Sequence, residues 1–594
     1  MKKIIALILL FTCINSFANA QPVIKYTLRF DDAQAHYVQV LMEVSNWKSE
    51  KLNVSMPVWA PGSYMVREFE RHVEGFNAFD NKGNNLLNQK INKATWQIET
   101  KSNSTIKINY RVYAFEMSVR SSFVDDEHAF LNGSSIFMYI DKMLTLPSTV
   151  EIIPTKNWKQ ITTTLDAANG NKWIVTAPDY DLLADSPIEI GNHEVIEFKA
   201  AGVTHLIAMI GKGNYDANRI KKDVPKILEA ETKIFGEQPC KRYVFFVQNQ
   251  NTPGGGLEHL NSCSLQMNRW AYEPEGTYQA FLNLIAHEYF HLWNVKRIRP
   301  RTLLHYDYST ENYTDLLYVA EGFTAYYDDF IPVRCGFILA DSYLNTLAGS
   351  FTYVENPGDT IQTLTEASYD AWIKYYRPNE NAANTTSNYY TKGSLVALLI
   401  NLTVMDATNG NKSLDDVMRL LYETTYKKEW IGYTEQDLIS AIKTVSGVDM
   451  NSFFENHVHR TARINYNSFL EKAGLRLRNK NENQQSIYHG ITTSFKEGKL
   501  NVTNVERNSP AWKDGINVND ELIAIDSVRL ADDLNKALQF KNIGDKIFFT
   551  INRNGLIKSV ALTLVNSPKA GFVLERVEKP TEKQDLIYKT WLHL

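Results

Sequence analysis

Apolar and polar residues alternate along the first third of this chain and then stop alternating, and that change of period constrains the fold more than any other feature. Ile24, Tyr26, Leu28 and Phe30 take every second position, as do Val38, Val40, Met42 and Val44, and then Ile106, Ile108, Tyr110 and Val112. A period of two belongs to strands with one buried face. Turn-forming clusters such as residues 80–83 separate these stretches. From about Gly202 the apolar residues recur at helical spacing, over residues 217–235, 277–295, 314–331, 393–406, 414–425 and 435–445, with a buried strand at 243–247. Strands first and helices afterwards, in a chain of 594 residues, predict an α+β multidomain protein whose N-terminal unit is a β-sandwich or saddle sheet.

A formal net charge of −4 leaves no basic footprint, so nucleic acid is not an expected partner. Lys2 and Lys3 precede an apolar run, residues 4–14, that is too short to span a bilayer, and Ala18-Asn19-Ala20 offers a small-x-small cleavage site. Residues 1–20 therefore read as a signal peptide. The mature chain would start at Gln21, be exported to the periplasm and carry no integral membrane segment. Cys13 would leave with the signal. Cys240, Cys263 and Cys335 are too few for a disulfide framework, although one pair, such as Cys240 with Cys263, could bridge in an oxidising compartment.

The chemistry concentrates on the segment 277–295, where Phe281, Leu284, Ile285 and Leu292 make an apolar stripe and His287-Glu288-Tyr289-Phe290-His291 forms an H-E-x-x-H motif. Residues four apart on a helix share a face, so both imidazoles can converge on one cation, and neutral imidazoles suit zinc. Glu288 lies beside His287 and can reach a water at the metal without ligating it. A third ligand is still needed. Glu321, in the amphipathic segment 319–327, completes a His₂Glu set and leaves one position open. Asp315 and Glu311 are the next carboxylates should Glu321 fail. One zinc ion per chain is expected.

These motifs resemble the gluzincin peptidases, among them the aminopeptidase N relatives. The separation of His291 from Glu321 is longer than in those relatives, and the insert that begins at residues 292–300 (LWNVKRIRP) is instead similar to the glycyl aminopeptidase family. Residues 57–64 (PVWAPGSY) are similar to a segment of the same family. The resemblance implies a thermolysin-like mixed and then helical catalytic domain, and cleavage of N-terminal glycine or alanine. It also implies roles for residues outside the metal motif. Glu258, in the stretch 254–259 (GGGLEH), would bind the substrate's free α-amine, while Gly255 and Gly256 let a peptide approach the backbone closely. Tyr390, in Tyr389-Tyr390-Thr391-Lys392-Gly393, would donate a hydrogen bond to the tetrahedral oxyanion. Tyr389 is adjacent and easily mistaken for it.

Farther on, Ser509-Pro510-Ala511, Gly515 and the run 520–526 (DELIAID) resemble a PDZ domain in their order, with residues 488–491 a loose match to its carboxylate loop. Such a domain can add a C-terminal peptide ligand to its sheet as an extra strand. The expected organisation is a signal peptide at 1–20, a β domain at 21–200, a zinc metallopeptidase domain at 201–470, a PDZ domain at 486–567 and a tail at 568–594. The expected function is a zinc aminopeptidase acting on peptides with a free N-terminus. The alternatives are an endopeptidase with the same zinc site, which would not need Glu258, and a peptide-binding PDZ scaffold with a silent peptidase lobe.

Overall fold

Alternating apolar side chains pair the N-terminal strands through one buried face. In the computed structural model, which describes residues 21–594, strand β1 (Val23–Arg29) runs antiparallel to β2 (Tyr37–Ser45), and β2 runs antiparallel to β3 (Thr105–Tyr113). On its other side β1 lies parallel to β4 (Ser148–Ile153), within an eight-stranded sheet. The expected signal peptide at residues 1–20 lies outside the described residues. The register puts Ile24, Tyr26 and Leu28 of β1 level with Val44, Met42 and Val40 of β2, and all six are buried. Two four-stranded sheets complete the domain. Their buried Leu52, Val54, Trp96 and Ile98 join the same apolar cluster as the large sheet.

The next sheet has five strands. Strands β5 (Glu194–Ala200) and β6 (Val203–Ile210) form a hairpin, and helix α1 (Ala217–Phe235) crosses over to β7 (Arg242–Gln250), which is parallel to β6. Strand β8 (Gly255–Glu258) then forms the edge, antiparallel to β9 (Ser262–Asn268), which pairs with β7. Helix α2 (Glu275–Phe290) follows, and it is buried on more sides than its stripe implied: Tyr278, Leu282, Ala286 and Tyr289 are covered along with Phe281 and Ile285.

The predicted helix over 314–331 is broken in two. Helix α3 (Leu317–Ala320) stops at Glu321, and α4 (Gly322–Arg334) starts just after it. The helix predicted at 393–406 begins four residues earlier, as α5 (Tyr389–Ala407), so Tyr390 sits in its first turn rather than before it. The side chain of Asn388 caps that turn by accepting from the backbone N–H groups of Tyr390 and Thr391. Helices α4 and α5 cross where Gly322 meets Gly393; a Cβ on Gly322 would lie 2.6 Å from the Gly393 Cα. The missing side chains let the two backbones touch.

The fold class is the expected one: a β-rich N-terminal domain, a mixed and then helical catalytic lobe, and a PDZ region with its own core around Leu500, Val502, Phe549 and Ile551. The segment 568–594, expected as a tail, returns to the catalytic lobe instead. Strand β10 (Leu475–Asn479) pairs with β11 (Phe572–Arg576), and helix α6 (Glu582–Leu592) buries Ile587, Trp591 and Leu592 in the catalytic core. The indole N–H of Trp591 donates to the Tyr326 hydroxyl on α4 at 3.2 Å. Cys240, Cys263 and Cys335 are all free, so the Cys240–Cys263 bridge is absent.

Candidate active site

The last turn of α2 carries His287 and Glu288, and His291 closes the helix as its C-cap. The two imidazole rings stand 4.8 Å apart, nearly perpendicular. Each has its Nδ1 engaged behind it: His287 against Asp328 Oδ2 at 2.7 Å, and His291 against the Asn294 carbonyl at 2.9 Å. A carbonyl or an ionised carboxylate can only accept, so Nδ1 is a donor in both rings, which leaves Nε2 as the nitrogen that each ring can offer to a cation. Both Nε2 atoms then face one oxygen of Glu321, at 3.4 Å and 3.3 Å.

The chain beyond His291 is shaped to hold this arrangement. Val295 has φ +88°, a backbone region a β-branched residue rarely adopts. The turn that contains it keeps the Asn294 carbonyl under His291. The Asn294 side-chain amide meanwhile donates to the carbonyls of Val319 and Ala320 at 2.9 Å and 3.1 Å. One buried asparagine thus ties the histidine helix to the segment that delivers Glu321.

Two clusters of ligand groups occur among the described residues, His287–His291–Glu321 and Glu258–Glu288–His291. The first fits a tetrahedral cation better, because both imidazoles turn Nε2 toward the same point and their other nitrogens are pinned. The electrostatics agree. Burial lowers the pKa of both histidines, but the surrounding carboxylates outweigh it and hold both above the usual imidazole range, led by Asp328 for His287 and Glu321 for His291. A pocket so rich in negative charge calls for a positive ion.

The second cluster leaves two carboxylates for other work. Glu288 and Glu258 are each 4% exposed, and Glu288 Oε2 and Glu258 Oε1 have no hydrogen-bond partner. Burial first, and the nearby Glu258 and Glu321 next, push the Glu288 carboxyl up to about 7 against the pull of His287 and His291. Gly256 lies against Glu288 so tightly that any Cβ there would overlap its carboxylate. Gly255 has φ +74° with open space around it. Tyr390 is brought to the site as well. Its ring stacks at 6.2 Å from that of His287, and its phenol meets the Tyr376 hydroxyl at 3.2 Å. Tyr389 stacks behind Tyr390, fully buried. The reserve ligands Asp315 and Glu311 join neither cluster; Asp315 is exposed.

Several residues here escaped the sequence reading. Asp328 lies seven positions after Glu321, two turns along one face, which was a readable signal. Tyr376 was not readable. Gly62, from the N-terminal domain, packs on Glu258, and a Cβ there would sit 2.5 Å from Oε1. Asp185 of the same domain is buried beneath the strand end that carries Glu258. It accepts from Lys296 Nζ at 3.1 Å and from the Leu260 N–H at 2.8 Å, and it meets His259 Nδ1 at 3.0 Å. Burial opposes its ionisation, but Lys296 and His259 hold it below the usual carboxylate range.

The geometry has sequence relatives. Residues 25–192 match the Peptidase M61 N-terminal domain and residues 280–396 match the M61 glycyl aminopeptidase family. The chain is also 30% identical to an aminopeptidase N family protein from Idiomarina loihiensis whose structure is solved, over 96% of this chain and 100% of that one, with a TM-score of 0.88. The chain belongs to the M61 glycyl aminopeptidase family. This M61 protein is accordingly a metallo-aminopeptidase, a hydrolase of peptides. A PDZ domain match covers residues 478–564. Two structures of M1 zinc metallopeptidase from Deinococcus radiodurans, one bound to a Tyr-Ser-Ala substrate, align with 75% of the M61 chain and 93–94% of their own, at 10–11% identity and TM-scores of 0.46 and 0.47. Among curated proteins there is no match.

Proposed function

We propose that this M61 peptidase removes small N-terminal residues, glycine or alanine, from peptides, using one zinc ion held by His287, His291 and Glu321. The observation that carries the reading is the convergence of two Nε2 atoms on one Glu321 oxygen, beside a buried Glu258 carboxylate whose Oε1 has no hydrogen-bond partner. When bound, the ion supplies a Lewis acid that activates water and polarises the scissile carbonyl.

The chain's own groups do the rest. Glu258, with Gly255 and Gly256 beside it on an open strand edge, receives the substrate's ammonium group and sets the distance to the scissile bond. Glu288 takes the proton of the attacking water on its unpartnered oxygen and passes it to the leaving amine, a task its buried place beside both histidines suits. The Tyr390 phenol, protonated because burial and Glu321 raise it well above the usual tyrosine range, donates to the oxyanion. The glycine preference rests on the family description. Export to the periplasm rests on residues 1–20 alone, and no helix among the described residues is long and apolar enough to cross a membrane. Capture of a C-terminal peptide by the PDZ unit rests on the family match.

The deciding experiment offers short peptides with free and acetylated N-termini, with and without a chelator. The proposal expects cleavage of the free form only, abolished by chelation and restored by zinc. Equal cleavage of both forms would mean an endopeptidase, and cleavage of neither a silent lobe.

A further inference from the structure

Strand β8 carries Glu258 at one end, and a guanidinium is fastened toward the other. Arg120, from the N-terminal domain, donates to the Gly256 carbonyl at 3.3 Å and to the Gly254 carbonyl at 3.5 Å. Two more arginines gather on the loop that covers Glu258. Arg67 donates to Ser63 Oγ at 2.9 Å, one residue from the glycine packed on Glu258, and Arg377 donates to the Val66 carbonyl at 3.1 Å. The three come from separate parts of the chain. Among the described residues none of them has a carboxylate within ion-pair distance. Burial, and then the charge of Arg120, lower the Arg67 pKa, with Arg377 adding to the effect and Glu116 opposing it. Like charges held together with no carboxylate in ion-pair contact favour a visiting anion.

Spacing says which anion. An extended strand rises about 3.3 Å per residue, so Gly256 lies roughly 7 Å along β8 from Glu258, and Gly254 lies beyond it, past the positive-φ Gly255. An extended dipeptide or tripeptide spans about 7–10 Å between its ends. The Arg120 contact at Gly256 therefore falls where the far end of a short peptide arrives when its amine is at Glu258.

We propose that Arg120, with Arg67 and Arg377 behind it, binds the C-terminal carboxylate of short substrates, so that the enzyme measures a peptide between an anion and a cation on one strand and favours di- and tripeptides. This inference rests on the aminopeptidase reading, since it takes Glu258 as the amine anchor. A carboxylate accepting from a guanidinium gains both hydrogen bonds and charge, and Arg offers two donors in the plane that a carboxylate presents.

The test compares tripeptides of the form Gly-Ala-Ala as free acid and as C-terminal amide. In the zinc-loaded wild type, kcat/KM should favour the acid on the order of tenfold or more. Arg120→Gln, which removes the charge and shortens the side chain, should bring that ratio close to one, and Arg120→Lys should recover part of it. Equal kcat/KM for acid and amide in the wild type would overturn the inference and leave the aminopeptidase reading standing. Cleavage of neither would overturn the aminopeptidase reading instead. Calorimetric titration of the zinc-loaded Glu288→Gln chain with the same two peptides then still decides the arginines: tighter binding of the acid supports their role, and equal affinity ends it.

Discussion

The backbone of Gly62 rests on the carboxylate of Glu258, so that a Cβ built on the glycine would lie 2.5 Å from Oε1 and 2.7 Å from Oε2. The glycine belongs to the N-terminal β domain, whereas the glutamate ends the edge strand of the catalytic sheet. With φ +88°, Gly62 also occupies a conformation that side chains disfavour. Gly62→Ala is therefore expected to push Glu258 out of place. Zinc content should be unchanged, while kcat/KM for free-amine peptides falls roughly 10–100-fold, as for other displacements of about an ångström in a positioning group. Metal analysis alongside steady-state kinetics checks both halves.

Asp328 meets Nδ1 of His287 at 2.7 Å, on the side of the ring away from Glu321. Asp328→Asn should weaken zinc affinity roughly 10–100-fold, whereas Glu321→Ala, which deletes a proposed ligand, should leave the purified chain without stoichiometric metal. Competition against a chromophoric chelator separates the two effects.

Glu288→Gln should bind zinc normally and lose turnover by about 10²–10⁴-fold, the usual contribution of a positioned base. Tyr390→Phe should lower kcat by roughly 10²–10³-fold with little change in zinc content. Tyr376→Phe, which removes only the hydroxyl that meets the Tyr390 phenol, should cost less. Single-turnover kinetics on zinc-replete protein rank the three.

Asp185 and Lys296 form a buried pair, with side chains 9% and 0% exposed. Removing the acid strands the ammonium group, and Asp185→Asn should cost roughly 3–5 kcal/mol at pH 7. The pH dependence has a definite sign. A carboxyl held below its unfolded value contributes stability that is present above that value, near 4, and is lost as pH falls through the lower folded value. The gap between wild type and Asp185→Asn should therefore shrink as denaturation is followed from pH 7 down to about pH 3.

Much of this was legible in the residues, because the informative patterns were local. Alternation over residues 24–30 and 37–44 is a property of neighbouring positions, and β1 and β2 follow it closely. His287 and His291 lie one turn apart on a single helix, so their convergence needed no tertiary knowledge. The break at Glu321 was hidden because the apolar spacing continues on both sides of it, and Gly322, the one local signal, shows its use only where it meets Gly393. Gly62, Arg120 and Asp185 were hidden for a different reason. Each lies more than 70 residues from the strand it serves, and no periodicity spans a domain boundary. The insert after His291 could be matched to relatives but not explained until Asn294 was seen bridging two helices.

Asn479 and Phe572 are partners in one two-stranded ladder, so the PDZ unit leaves the enzyme and re-enters it at the same place. It is an excursion from a loop rather than an appendage at the end. A premature stop near residue 570 would strip a strand and a helix from the peptidase itself, Trp591 among them. An internal deletion that joins 479 to 572 by a short turn would spare both. Loss of activity on truncation alone would thus say nothing about the PDZ unit, and the loop-out is the variant that isolates its contribution.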